Sequence, residues 1–387
     1  MDMLGSAGGV PAIRGDWRAF LADEVSGGAA DRDRTGTVIP RLFLKEAARL
    51  GLLQASLPAA VGGGGMGTAE WGHTLEAVGY HCDDASFPLL VSLYAGVAND
   101  VLASGRDDLR DEYVLPFTAA DALVSFAYTE DADPLSFTST VRLDGDHVVV
   151  NADKRMVTGG QLADAFLVYV RNEATEDLDI VIVHASDPGV RVAPVAVMGV
   201  RAAGLAALRL SEVRVPASRV LESGDGISHV QRFLNRRRIL LSCAAVGRMG
   251  RMLDQLVDQL TDRTRYRRRV ADLQNVQASV GRMKVQLETS RFALNAALTQ
   301  ADGLPDSAHW TDSIGVAKYQ ISENAIAMSQ AALRLTGGLG YTQDGRFERD
   351  VRDFMGLLAG AGAQDVLEVN LGASTISERE RRRRFER

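Results

Sequence analysis

Apolar residues recur with a helical period at both ends of the chain and with a strand period in the middle. From Trp17 to about residue 117 they fall at three- and four-residue spacing, most clearly in PRLFLKEAARLGLL (40–53) and WGHTLEAVGY (71–80), which predicts helices. VGGGGMG (61–67) between them is predicted as a loop. A phosphate cradle would need a following GK[ST] and a strand directly before it, and neither is present, so a plain mobile connection is expected.

Near residue 120 the period shortens. LVSFAYTE (123–130), STVRLDGDHVVVNADKRMVTGG (139–160), DAFLVYVRN (164–172), LDIVIVHAS (178–186) and LRLSEVRVPASRVL (208–221) are short β-branched runs bounded by turn residues. Leu143-Asp144-Gly145-Asp146 reads as a hairpin turn. From about residue 226 the helical period returns in long amphipathic segments over 228–260, 270–300, 308–335 and 364–380, whose broad apolar stripes suit a bundle that also packs on another subunit. Three units follow: an N-terminal helical domain (1–117), a middle β-domain (118–225) and a C-terminal helical bundle (226–387). In the tail SERERRRRFER (377–387), glutamates interleave the arginines at helical spacing, as in a solvated helix end.

Composition narrows the function. With 46% hydrophobic and 24% charged residues the 387-residue chain is an ordinary globular protein, and 43 basic against 50 acidic side chains argue against bulk nucleic-acid binding. Only Lys45, Lys154, Lys284 and Lys318 are lysines, so nearly all positive charge is arginine. Cys82 and Cys243 are expected as buried free thiols, since no Cys/His cluster with metal spacing exists. The six histidines are scattered without triad or metal-ligand spacing, against a hydrolase or metalloenzyme. No secretory pattern opens the chain and no apolar run reaches a membrane-spanning length, so a cytoplasmic protein without membrane contact is expected.

An α–β–α order of this kind resembles the acyl-CoA dehydrogenase family over essentially the whole chain. The resemblance rests on LGLLQASLPAAVGGGGM (50–66), YTE (128–130), MVTGG (156–160), LRLSEVRVPASRVL (208–221), RTRYRRRVADLQNVQ (263–277), TGGLGY (336–341), and RD (352–353) followed by GAG (360–362), in the family's order. It implies an α+β fold with an N-terminal helical domain, a middle β-barrel-like domain and a C-terminal four-helix bundle. FAD is the implied cofactor, in a homodimer or homotetramer whose second subunit completes the flavin site.

A flavin needs an apolar or aromatic wall, partners for its N5 edge and pyrimidine ring, and donors for its pyrophosphate. Phe126, Tyr128, Thr129, Met156 and Thr158 supply wall and hydroxyls; by composition alone these alternating positions also read as core. The resemblance implies that they line the isoalloxazine. It further implies FAD contacts for Arg263, Tyr266, Gln274, Arg334, Gly337 and Gly338, with Arg334 replacing a residue that is usually glutamine. Ser136 falls near a phosphate-contacting position, although DADPLS (131–136) lacks the family's PGAGS.

The family's chemistry removes hydrogen from Cα–Cβ of an acyl thioester, with a glutamate taking the α-proton. Both places where relatives carry it lack a carboxylate here: one falls on Ala361 in GLLAGAGAQDV (356–366), the other on Arg237. Such a group contributes roughly 10²–10⁴-fold, so the loss matters. Either another acid takes over, with Glu130, Asp365 and Glu368 as candidates, or the substrate carries its own activation or negative charge and is clamped by Arg236, Arg237 or Arg238. The three arginines, read as opening a helix, need an anionic partner, which a neighbouring Asp or Glu would equally satisfy. The leading reading is oxidation of an acyl thioester on coenzyme A or a carrier protein, in polyketide or peptide antibiotic biosynthesis. The alternatives are a flavin-dependent monooxygenase on the same fold, and a catalytically silent thioester-binding partner subunit, favoured by Ala363 where relatives carry threonine.

Overall fold

The structure, a computed structural model, describes residues 11–131, 137–265, 267–303, 312–343 and 345–385. The first helical unit is built on α1 (Arg41–Arg49), α2 (Thr68–His81) and α3 (Ser86–Ala103), with shorter helical turns before and after. Gly51, at φ +80°, ends the α1 segment in the left-handed conformation that most side chains resist. The glycine-rich segment after it is packed, contrary to the mobile connection expected. A Cβ on Gly63 would lie 2.0 Å from the Leu57 carbonyl oxygen, and one on Gly64 2.7 Å from that of Ala55. α3 falls within the stretch read as helical. Its 18 residues are long and apolar enough to cross a membrane, yet 72% of the helix is buried inside the protein, and Phe87, Leu90, Val91 and Val97 are fully enclosed in the core.

Eight strands form the middle sheet: β1 (Val124–Ala127), β2 (Thr140–Asp144), β3 (His147–Val157), β4 (Ala165–Asn172), β5 (Leu178–His184), β6 (Val190–Pro194), β7 (Ala206–Pro216) and β8 (Val220–Glu222). Their order is β6-β7-β3-β2-β4-β5-β8, with β1 added parallel to β4. The β2–β3 hairpin turns at Gly145-Asp146, with Asp144 opposite His147. β4 and β5 read as continuous apolar runs because both of their faces are covered. Leu167, Tyr169, Ile180 and Ile182 join the helical core, while Phe166, Val168, Val181 and Val183 fill a separate core inside the sheet. β6 and β8, of five and three residues, were too short to carry a period.

The second helical unit comprises α4 (Gly226–Asp262), α5 (Gln274–Gly303), α6 (Asp312–Thr336), α7 (Phe347–Met355) and α8 (Gln364–Phe385), with a two-stranded hairpin (Thr264–Arg265, Arg268–Arg269) joining α4 to α5. α4 is the central element and crosses α2 at glycines on both sides. A Cβ on Gly79 would lie 2.1 Å from the Ala244 carbonyl oxygen, and one on Gly247 1.9 Å from that of Glu76, so only glycine permits this approach. The Arg248 guanidinium on α4 donates to both oxygens of Asp350 on α7, at 2.7 and 2.8 Å, and this buried pair fixes α7 beneath α4. Arg236, Arg237 and Arg238 lie ten residues inside α4 rather than at its start, so the helix-terminus argument for an anionic partner does not apply to them.

Candidate active site

The middle sheet presents one compact group of the predicted flavin-lining residues. Arg155 N donates to the Thr129 carbonyl at 2.7 Å and Ser125 Oγ to that of Thr158 at 3.1 Å, which lays the exit of β1 beside the end of β3. Phe126, Tyr128, Thr129, Met156 and Thr158 thereby share one patch, although Tyr128, Thr129 and Thr158 lie just beyond the strands proper. The β3–β7 register shifts between Lys154 and Val157, and there Met156 adopts φ +57° with its thioether 48% exposed. The bulge turns the apolar Met156 side chain outward near the half-buried Tyr128, whose ring packs on Phe137 and Tyr169.

Behind this wall the packing is aromatic. The Phe126 ring meets Tyr169 edge-on at 5.0 Å and stacks on Phe233 of α4 at 4.0 Å, with planes 13° apart. The Tyr169 hydroxyl is paired with His229 Nδ1 at 2.7 Å. Below the wall Lys154, fully buried, contacts Glu130 at 2.5 Å. Burial opposes ionisation of Glu130, but Lys154, Thr138 and Ser139 outweigh it and hold its carboxyl down at about 2.

Phe233 also lines a cavity of about 370 Å³ between α2, α3 and α4. Its wall includes Met66, Trp71, Ser92, Gly96, Asn99, Asp100, Arg236 and Arg237. Sequence reading missed the α3 contribution. The signal was there: Ser92, Gly96, Asn99, Asp100 and Ala103 form a small and polar stripe at helical spacing in an otherwise apolar segment. Arg237 is buried and donates to Ser92 Oγ at 2.7 Å and to the Leu89 carbonyl at 3.3 Å. Arg236, half exposed, sits 3.6 Å from Asp100.

Arg238 does not line this cavity. Its Nε donates to the Ala361 carbonyl at 2.9 Å, and it donates also to Asn235 Oδ1 at 2.9 Å, so it serves the backbone rather than a ligand. Lys318 Nζ donates to the neighbouring Gly362 carbonyl at 2.9 Å. Burial pulls both cations below their ordinary values, Arg238 to about 10 and Lys318 to about 8, the latter lowered further by Arg238. Ala361 itself is at φ +57°. None of the three candidate acids lies on the cavity wall. Glu130 is held by Lys154, Glu368 accepts from the Tyr319 hydroxyl at 2.7 Å, and Asp365 is exposed.

The second predicted group lies on the C-terminal unit. Arg263, following α4, donates to the Thr336 carbonyl at 3.0 Å, which brings it to the end of α6 where Arg334 is exposed. Gly337 adopts φ +64°, and a Cβ on Gly337 or Gly338 would meet nothing within 4 Å. Gln274 opens α5 with its side chain exposed. Ser136 and Tyr266 lie outside the described residues. An open glycine pair beside an arginine, and an outward-turned apolar wall next to Thr158, suit the two ends of a flavin dinucleotide.

Models of the N-terminal, middle and C-terminal domains of acyl-CoA dehydrogenase match residues 11–121, 125–213 and 224–376 in turn. The mouse mitochondrial short-chain specific acyl-CoA dehydrogenase is 28% identical over 352 residues, 88% of this chain and 84% of the relative. A solved structure from Mycobacterium smegmatis, assigned as an acyl-CoA dehydrogenase, is 27% identical with a TM-score of 0.87, covering 93% of this chain and 96% of that one. The prolyl acyl carrier protein oxidase AnaB shares the fold at a TM-score of 0.87 and 22% identity, covering 93% of this chain and 97% of that one. With three successive domain models matched in order, the chain belongs to the acyl-CoA dehydrogenase family and is an oxidoreductase of that type with FAD as its cofactor.

Proposed function

We propose that this oxidoreductase oxidises an acyl thioester, borne by coenzyme A or a carrier protein in specialised polyketide or peptide metabolism, without the carboxylate base of its relatives. The stack of Phe126 on Phe233 carries the reading, because it sets the acyl-sized cavity directly against the patch that fits a flavin. FAD bound there supplies a hydride acceptor. The chain's own residues enclose the acyl group: Trp71, Met66 and Phe233 exclude water, and Asp100, the carboxylate among the lining residues, is engaged with Arg236. The carrier-protein option is favoured by the likeness to AnaB, whose description names a prolyl acyl carrier protein as what it oxidises.

A second reading is favoured by the anchored Ala361 segment. With no carboxylate at either base position, flavin-dependent oxygenation on the same fold needs no α-proton acceptor. Mixing the FAD-loaded protein anaerobically with a panel of acyl-pantetheine thioesters separates the readings. Bleaching of the flavin supports dehydrogenation. Absence of bleaching, with label entering the product when the protein is instead reduced with dithionite and then exposed to ¹⁸O₂ in the presence of the thioester, supports oxygenation. A protein that takes up no FAD would sink both and leave a silent thioester-binding subunit.

Assembly into a homodimer or homotetramer belongs to the same proposal. Val257, Val285, Phe292, Val316, Val369 and Ile376 are exposed on the C-terminal helices, apolar surface suited to burial against further copies. Light scattering that returns the mass of a single chain would reject this.

A further inference from the structure

The buried arginines of this protein fall into two kinds. Arg32 meets Asp84 at 2.9 Å and Arg248 meets Asp350 at 2.7 Å, so each of these charges is matched inside the protein. Arg237 is 8% exposed, yet both of its hydrogen bonds go to neutral oxygens, and no carboxylate pairs with it among the described residues. Arg238 also has neutral acceptors, but it sits outside the cavity and holds the Ala361 carbonyl. Among the described residues, Arg237 alone joins burial, an unmatched charge and a place on the cavity wall.

Such a group is unfavourable by itself, because desolvation is not repaid by an opposite charge. Burial lowers its pKa only to about 10, so the guanidinium stays charged at neutral pH. Two of its five N–H donors are directed by Ser92 and Leu89, leaving others for an incoming acceptor. The charged side chains of the wall are Arg236, Arg237 and Asp100; with Asp100 set against Arg236, a net positive charge remains at Arg237. A volume of about 370 Å³ is enough for a short acyl chain.

We infer that Arg237 binds a carboxylate on the acyl group itself, so that the thioester taken by this site is that of a short dicarboxylic acid. The inference rests on the thioester reading above and adds the class of acyl group. Ser92 is the positioning residue, since its hydroxyl fixes one arm of the guanidinium.

The test is calorimetric binding to the FAD-loaded protein of two matched pairs of pantetheine thioesters, malonyl against propionyl and succinyl against butyryl. Pantetheine is the arm common to coenzyme A and carrier proteins, so carrier identity does not enter. The acidic member of at least one pair should bind about tenfold tighter or more, as expected for a charge-assisted contact. Arg237→Met should abolish that preference and Arg237→Lys should keep part of it. Melting temperature supplies the second readout: removing an unmatched buried charge should leave Arg237→Met at least as stable as the parent, whereas a merely structural arginine would lower it. Equal binding within both pairs, or a preference that survives in Arg237→Met, would overturn the inference while leaving thioester oxidation standing if the neutral esters bind. Failure of all four thioesters to bind would reject both.

Discussion

Arg238 Nε donates to the carbonyl of Ala361 at 2.9 Å, so α4 is tied to the turn before α8, the two segments that the resemblance marks as base positions. Lys318 holds the next carbonyl, that of Gly362, from the opposite helix. At the turn that the resemblance marks as a base position, the backbone is fastened by two buried cations.

That fastening makes Ala361 a place to restore a base. Ala361 already occupies φ +57°, so glutamate introduces no new backbone strain there. Ala361→Glu should raise anaerobic flavin reduction by a simple acyl-pantetheine by roughly 10²-fold or more, the scale of an acid–base group. Unchanged reduction rates with retained FAD would show that the segment does not face the reacting carbons.

Much of this fold was legible because its periods were long. The α4, α5, α6 and α8 segments and the β4 and β5 runs carry enough repeats to declare themselves, whereas β6 and β8 are too short to do so. The site was legible only where a side chain marks it locally. The arginine run, Met156 and the glycine pair were visible, but their environments were not. Nothing along the chain shows that Arg238 turns to a carbonyl while its neighbour Arg237 turns to the cavity, since that split depends on which face of α4 meets α3. Asp100 and Ser92 escaped notice for the same reason, as their polar stripe lies in a helix whose apolar content read only as core.

The ring stack that joins wall and cavity is also a stability element. Phe233 is buried and packs on Phe126 at 4.0 Å. Phe233→Ala should destabilise by about 3–5 kcal/mol. It should also loosen FAD, because Phe126 loses the surface that holds its strand. A denaturant midpoint unchanged from the parent would contradict this; Phe233→Leu should recover most of the stability but not the stacking.

Glu130 tests whether a carboxylate near the flavin patch is structural. It faces buried Lys154 at 2.5 Å and accepts from Thr138 N at 2.8 Å. Glu130→Gln leaves that ammonium without its counter-charge and should lower stability at pH 7 by about 3–5 kcal/mol. The sign with pH follows from its depressed carboxyl. The stabilisation is full above the unfolded value and lost as pH falls from about 4.5 toward about 2, so parent and variant should converge in acid. A gap at pH 3 no smaller than that at pH 7, measured by chemical denaturation, would show that the charge is not what Glu130 contributes.

His229 sets a second acid limb, at a higher pH. Its ring is pushed from the ordinary 6.5 to about 4, chiefly by burial and further by Arg232 and Arg236, with Asp225 opposing. A base depressed in this way stays neutral in the folded chain while the unfolded chain takes up the proton. Its contribution is therefore full above pH 6.5 and lost as pH falls from 6.5 toward 4, on the order of 2–3 kcal/mol. The loss is transmitted, because His229 holds the Tyr169 hydroxyl and Tyr169 packs on both Phe126 and Tyr128. Asp353, buried and raised to about 7, titrates with the opposite sign in an overlapping window, so parent and variant must be compared at each pH rather than across it. His229→Gln should lose less stability than the parent between pH 6.5 and 4 and should release FAD less steeply on acidification. Parallel curves for the two proteins, in denaturant midpoint and in flavin fluorescence, would remove His229 from the acid response.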